Sequence, residues 1–128
     1  MATPFHWIIA LVLITLLYGV SLGEESKVET NDEKLVALCF YPEGTPEAIE
    51  VVLKAGADVM VRLVNGLTPL MIAAGRNNNP EVIETLLKAG ANAKAKDKEG
   101  KTALDYAKHN EKIYNTKAYR KLNELQSD

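Results

Sequence analysis

Asp105 and His109 stand four residues apart, the spacing that puts two side chains on one face of a helix. A carboxylate so placed can orient an imidazole for general-base work. Such a pair needs a nucleophile beside it, and the residue of the right type is Cys39, the single cysteine of the chain. Nothing in the sequence places Cys39 near the pair, so Asp105 and His109 read as surface neighbours. The other histidine, His6, lies in an apolar leader, which leaves His109 without the His and Cys companions that a zinc site needs. No phosphate-cradling glycine loop occurs. The net charge is −2 and the aromatic residues are not interleaved with the basic ones, so nucleic-acid binding is not expected. The inventory offers no catalytic residue, no metal site and no cofactor site.

What it offers is repetition. Pro46, Glu47, Ile49 and the run Leu53-Lys54-Ala55-Gly56-Ala57 return 34 positions later as Pro80, Glu81, Ile83 and Leu87-Lys88-Ala89-Gly90-Ala91. The same offset carries Gly66, Thr68, Leu70 and Ala73 onto Gly100, Thr102, Leu104 and Ala107. A period of this size marks one supersecondary unit copied along the chain into a stack. Through it Cys39 aligns with Ala73 and Ala107, which makes it a small core residue rather than a nucleophile. Burial also reconciles an unpaired thiol with an oxidising compartment.

Each unit carries the signals of two helices. Thr68 before Pro69 caps a first helix, and Thr45-Pro46-Glu47 and Asn79-Pro80-Glu81 supply cap, proline and acidic first turn for second helices. Ala48, Ile49, Val52 and Leu53, like Val82, Ile83, Leu86 and Leu87, form apolar stripes at helical spacing. Gly56 and Gly90 close those helices, and residues 57 to 66 and 91 to 100 are expected as extended hairpin fingers. Ala73 and Ala74 are small enough for close helix packing. In the last unit Ala118, Tyr119, Leu122 and Leu125 continue a stripe about two places later than the period requires, with Tyr106 and Tyr114 expected to close that end of the core.

Asn65-Gly66-Leu67-Thr68-Pro69-Leu70-Met71-Ile72-Ala73-Ala74, followed by Pro80 to Asn92, closely resembles an ankyrin repeat. The resemblance covers about residues 32 to 125 and implies an all-α fold, an ankyrin-type α-solenoid of about three helix-turn-helix repeats with hairpin fingers. The domain is expected over 34–128, with repeats at about 34–64, 65–98 and 99–125. The usual period is about 33 residues, so the additional residue is placed in the loop 75 to 79. Met71 and Asp105 stand where ankyrin repeats usually carry a histidine whose hydrogen bonds link adjacent units, so those bonds must be replaced or absent. Ala103 takes the place of the usual proline, so the last unit is expected to start its first helix less sharply.

The resemblance further implies a non-catalytic role in binding another protein, through a concave face lined by fingers and first helices. By motif the positions that choose the ligand are Val64, Asn65, Leu67, Gly75 and Arg76 in the middle unit and Lys98, Glu99, Lys101, His109 and Asn110 in the last. Ankyrin fingers are normally polar, but Val59-Met60-Val61-Arg62-Leu63-Val64 is nearly all apolar, whereas its counterpart Ala93-Lys94-Ala95-Lys96-Asp97-Lys98 is lysine-rich. An exposed apolar patch usually marks an interface. Met60, Val61, Arg62, Leu63 and Val64, with Leu67, Met71 and Arg76, are therefore expected to form the centre of a protein-binding surface. The alternative is that alternate finger residues tuck against the helices as core.

Ahead of the repeats, Trp7 to Val20 is a 14-residue apolar run followed by Ser21 and Gly23. It is shorter than the roughly 20 residues a spanning helix needs, and small residues at those places fit cleavage after Gly23. Residues 1–23 are expected as a signal peptide preceding a flexible acidic leader, 24–33, and the product as periplasmic or secreted. Residues 1 to 6 hold no Lys or Arg, which departs from the usual positive leader; the alternative is an uncleaved membrane anchor holding the repeats outside the membrane. Residues 24 to 66 hold nine acidic and four basic residues, and residues 67 to 128 hold eight acidic and eleven basic. Such a dipolar surface can orient a charged partner.

Overall fold

The computed structural model of the protein describes residues 30–42 and 44–127; the apolar run, its cut site and the start of the acidic leader lie outside the described residues. Six helices occur among them: α1 (Asn31–Phe40), α2 (Pro46–Lys54), α3 (Pro69–Arg76), α4 (Pro80–Lys88), α5 (Ala103–Ala107) and α6 (Lys117–Ser127). The first helices α1, α3 and α5 pack side by side in one row. The second helices α2, α4 and α6 form another, each against its own first helix.

The helices begin where the caps require. Thr45 accepts from the Ala48 amide at 3.2 Å, Thr68 from Met71 at 3.3 Å and Asn79 from Glu81 at 2.9 Å, each ahead of a proline in the first turn. Without a proline, Thr102 is held differently: the Asp105 carboxylate accepts both its amide (2.9 Å) and its hydroxyl (3.1 Å). The Thr102 backbone, φ −102° and ψ 172°, then closely matches that of Thr68, φ −102° and ψ 162°. The expected blunt start is thus corrected, and the departure shows in length instead, five residues in α5 against eight in α3.

At the front, Thr30 and Glu33 form a reciprocal capping box, so Asn31, Asp32 and Glu33 are the first turn of α1 rather than the end of a leader. Their polarity hides this in the sequence. Asn31 donates to the Ala55 carbonyl at 2.7 Å and Asp32 accepts from the Asp58 amide at 2.7 Å, so both side chains satisfy backbone groups just beyond α2.

One apolar seam runs through all three helix pairs. Leu35, Cys39, Ile49, Leu70, Met71, Ala73, Ala74, Val82, Ile83, Leu86, Ala107, Ile113, Ala118 and Leu122 are essentially without solvent contact. A fully buried Leu, Ile or Val contributes about 1.5–3 kcal/mol, so the seam supplies the main driving force. The stripe of α6 sits two places late, as Leu122 against Leu86 shows, because residues 111 to 116 form additional turns, with Asn115 in the left-handed region at φ 67°. Ile113 points into the core from this loop and is fully buried, while Tyr114 is 48% exposed. Ile113 therefore closes that end in place of Tyr114, and Tyr106 packs against the core as expected.

Two buried asparagines join the units. The Asn77 amide donates to the carbonyls of Leu38 (3.3 Å), Tyr41 (3.2 Å) and Gly44 (3.4 Å) in the preceding unit, and its oxygen accepts from the Asn79 amide at 2.8 Å. Asn110 repeats the arrangement one unit on, donating to the carbonyls of Ala74 (3.0 Å) and Asn77 (2.9 Å) and accepting from Lys112 at 3.0 Å. These bonds serve in place of the histidine links: Met71 is apolar core and Asp105 is occupied at its own helix start.

Candidate protein-binding surface

Both fingers are chains of hydrogen-bonded turns, with no strand among the described residues. In the first, Met60 and Val61 turn back onto Asp58, and Leu63 closes the tip by accepting from the Gly66 amide at 2.8 Å and donating to the Leu67 carbonyl at 3.0 Å. In the second, Asp97 organises the tip, its carboxylate accepting from the amides of Glu99 (2.8 Å) and Lys101 (2.9 Å) and from the Tyr106 hydroxyl. The expected extended hairpins are replaced by these turns because Asp58, Asn92 and Asp97 each capture a backbone amide within a few residues.

The fingers are stapled to each other. Arg62 reaches across to the Lys96 carbonyl at 2.8 Å and back to the Gly66 carbonyl at 3.3 Å. The Lys98 amide donates to the Asn65 carbonyl at 3.2 Å, and the Asn92 amide contacts the Met60 sulfur at 3.3 Å. Ala93, Ala95 and Asp97 are buried while Lys94, Lys96 and Lys98 are exposed, so the second finger alternates. The first follows the same register less completely. Val59 packs against the core, Met60 and Val61 are half-buried, and Leu63 and Val64 at the tip are 38% and 89% exposed.

Of the residues expected at the binding surface, Leu67 is half-buried, and Arg76, Lys98, Lys101 and His109 are exposed. Met71 is withdrawn from any partner, 1% exposed, because the middle unit is covered on one side by α1 and on the other by α5. Asn110 is spent on the inter-unit bonds, and Gly75 lies against the Tyr106 side chain. Sequence reasoning missed Phe40 and Tyr41, 46% and 58% exposed, which meet edge to face at 5.5 Å with the Arg76 guanidinium 5.2 Å from the Phe40 ring centre. Two adjacent aromatics before Pro42, at the end of a helix, were the available signal.

Burial pushes the Cys39 thiol up to about 12, so it carries no thiolate at neutral pH. The Tyr106 hydroxyl bond, followed by the Lys101 amide, holds Asp97 below the usual carboxylate range, and in return Asp97 pushes the Tyr106 phenol up to about 12. The Thr102 amide holds Asp105 low. Asp105 contacts Lys108 at 3.4 Å, and no hydrogen bond joins it to His109 among the described residues. Among those residues, no three His, Cys, Asp or Glu side chains gather as metal ligands, and no helix is long and apolar enough to cross a membrane.

Residues 52–107, from the middle of α2 to the end of α5, match the family model described as ankyrin repeats (many copies). No curated protein matches the chain. Helix pairs stacked in two rows, fingers at their junctions and that match identify residues 52–107 as ankyrin repeats, a protein–protein interaction module.

Proposed function

We propose that the chain acts outside the cytoplasm as a non-catalytic adaptor or inhibitor, gripping one protein along its finger tips and first-helix face. The observation that carries this is Val64: an apolar side chain 89% exposed at the tip of a turn that Arg62 ties, through the Gly66 and Lys96 carbonyls, to the second finger. An apolar group held in water by a rigid frame is pre-organised for contact and loses little entropy on binding. Leu63 extends the apolar tip, Lys98 borders it through the Asn65 carbonyl, and Arg76 lies over Phe40. The neutral Cys39 thiol and the engagement of Asp105 with Thr102 and Lys108 support a role without turnover. The run Trp7 to Val20 with Ser21 and Gly23 supports export. A membrane-anchored extracytoplasmic module assisting a membrane or redox enzyme is the second reading, and the mass of the mature chain separates the two, since cleavage after Gly23 leaves 105 residues.

A photo-crosslinking amino acid at position 64, introduced in producing cells, is expected to yield one dominant protein adduct, whereas the same group at exposed Glu47 yields none. The double variant Leu63→Asp with Val64→Asp is expected to keep its helical circular dichroism and lose the partner. Equal adducts at both positions, or undiminished binding by the folded variant, would remove the finger tip from the function.

A further inference from the structure

The second-helix row carries a surface that the finger reading leaves unused. Between α4 and α6 lies an open groove of about 650 Å³ whose floor is apolar, built from Leu87, Ala91 and Leu125, all partly exposed. Its rims are mainly cationic. Lys88 stands on the α4 side and Arg120 and Lys121 on the α6 side, and none of the three makes an ion pair among the described residues. Lys117 pairs with Glu84 at 3.6 Å, which leaves Glu124 as the one carboxylate opposing three cations. No finger-tip residue lines the groove.

We propose that this groove is a second docking site, for a short amphipathic helix of a partner protein that carries acidic residues on both flanks of its apolar stripe. The walls are helices, whose backbone groups bond internally, so an extended peptide would find no edge to pair with; a helical one satisfies its own amides. At 1.5 Å per residue the nine residues of α4 and eleven of α6 give walls about 14 to 17 Å long, matching about three turns of a docked helix. Leucines at i, i+3 or i+4 and i+7 would fill the floor, and flanking carboxylates would neutralise Lys88, Arg120 and Lys121. A bilayer surface fits less well, because the apolar atoms lie at the bottom of a concavity that a flat headgroup layer does not enter.

The test is fluorescence anisotropy of the full chain against a labelled synthetic peptide of about 12 residues, with leucines at that spacing and glutamates beside them, and a control with lysines replacing the glutamates. The glutamate peptide is expected to bind at least about tenfold more tightly than the control and to weaken as salt rises. Lys88→Glu with Lys121→Glu is expected to lower its affinity at least about tenfold, with Lys88→Glu and Arg120→Glu as a second pair; these side chains are exposed. Equal binding of the two peptides, no binding, or insensitivity to both reversals would overturn the proposal. So would binding lost in the Val64→Asp variant instead, which would place the peptide on the fingers. Sedimentation with phosphatidylglycerol vesicles that depends on Lys88 and Lys121, without peptide binding, would make the groove a lipid contact and equally overturn it. Because the finger variants and the groove variants are separate, failure of one surface leaves the other standing.

Discussion

Asn77 does more for the stack than any residue singled out from its type and place in the repeat. Its amide is shared among three carbonyls of the preceding unit, and its own carbonyl accepts from Asn110 of the next. Asn77→Ala leaves the buried Gly44 carbonyl and the partly buried Leu38 and Tyr41 carbonyls without this donor, and a buried group left unsatisfied costs about 1–3 kcal/mol; the variant should lose about 2–3 kcal/mol of stability, read as a lower urea midpoint at unchanged slope. A loss below about 0.5 kcal/mol would make the asparagine link dispensable. The Tyr106–Asp97 bond predicts a pH response. The folded-state value of Asp97 is depressed, so its contribution is present above the unfolded carboxylate value, about 3.9, and is lost as pH falls through the folded one. Tyr106 is raised to about 12, so its contribution is complete below about 10 and is lost as pH rises toward 12. Tyr106→Phe should shrink both limbs of the stability profile. Parallel profiles for variant and wild type across the acid and alkaline ranges would show that the bond is not coupled to folding.

At the scale of elements, the stack can be read from two glycines in equivalent turns. Gly66 and Gly100 both lie in the left-handed region, φ 84° and 81°. A methyl group at Gly66 would sit 3.0 Å from the Lys98 amide nitrogen and 3.1 Å from the Asp97 Cα, whereas at Gly100 nothing lies within 4 Å. The second finger fills the space beside the first, and among the described residues nothing fills the space beside the second. Gly100→Ala should therefore show the conformational penalty alone, about 1–2 kcal/mol, and Gly66→Ala at least about 1 kcal/mol more from the backbone clash. Thermal melts of the two variants decide this, and equal losses would mean that the fingers do not press on each other. The position of α6 belongs to the same scale. Its two-place displacement carries Leu125 and Ala118 along with it, and so sets both the seal of the last unit and the floor of the basic groove.

As a whole molecule, the domain has three helix pairs sharing one seam, too few for any unit to stand alone. Urea unfolding followed by far-ultraviolet circular dichroism and by tyrosine fluorescence should give one coincident transition. Separate midpoints would show that the units melt independently. Deleting α6 removes Ala118 and Leu122 from the seam, bares the α4 side that carries Glu84 and Leu87, and should abolish the cooperative transition altogether.

Repeat register, helix positions, caps and the core role of Cys39 were legible because they depend on short-range chemistry: a threonine before a proline, an apolar stripe, a small residue at a repeated place. Expectations failed where the partner lies in another unit. Asn31 and Asp32 look like leader until Ala55 and Asp58 come into reach. Met71 looks like a surface residue until α1 and α5 close over it, and Asn77 looks like loop filler until three distant carbonyls converge on its amide. The apolar first finger was visible in the sequence, but only packing decided that Val64 stays in water while Val59 goes to the core. Local bonds are written in neighbouring residues; contacts 24 to 39 positions apart exist only once the units are stacked, and there the tertiary structure had the deciding role.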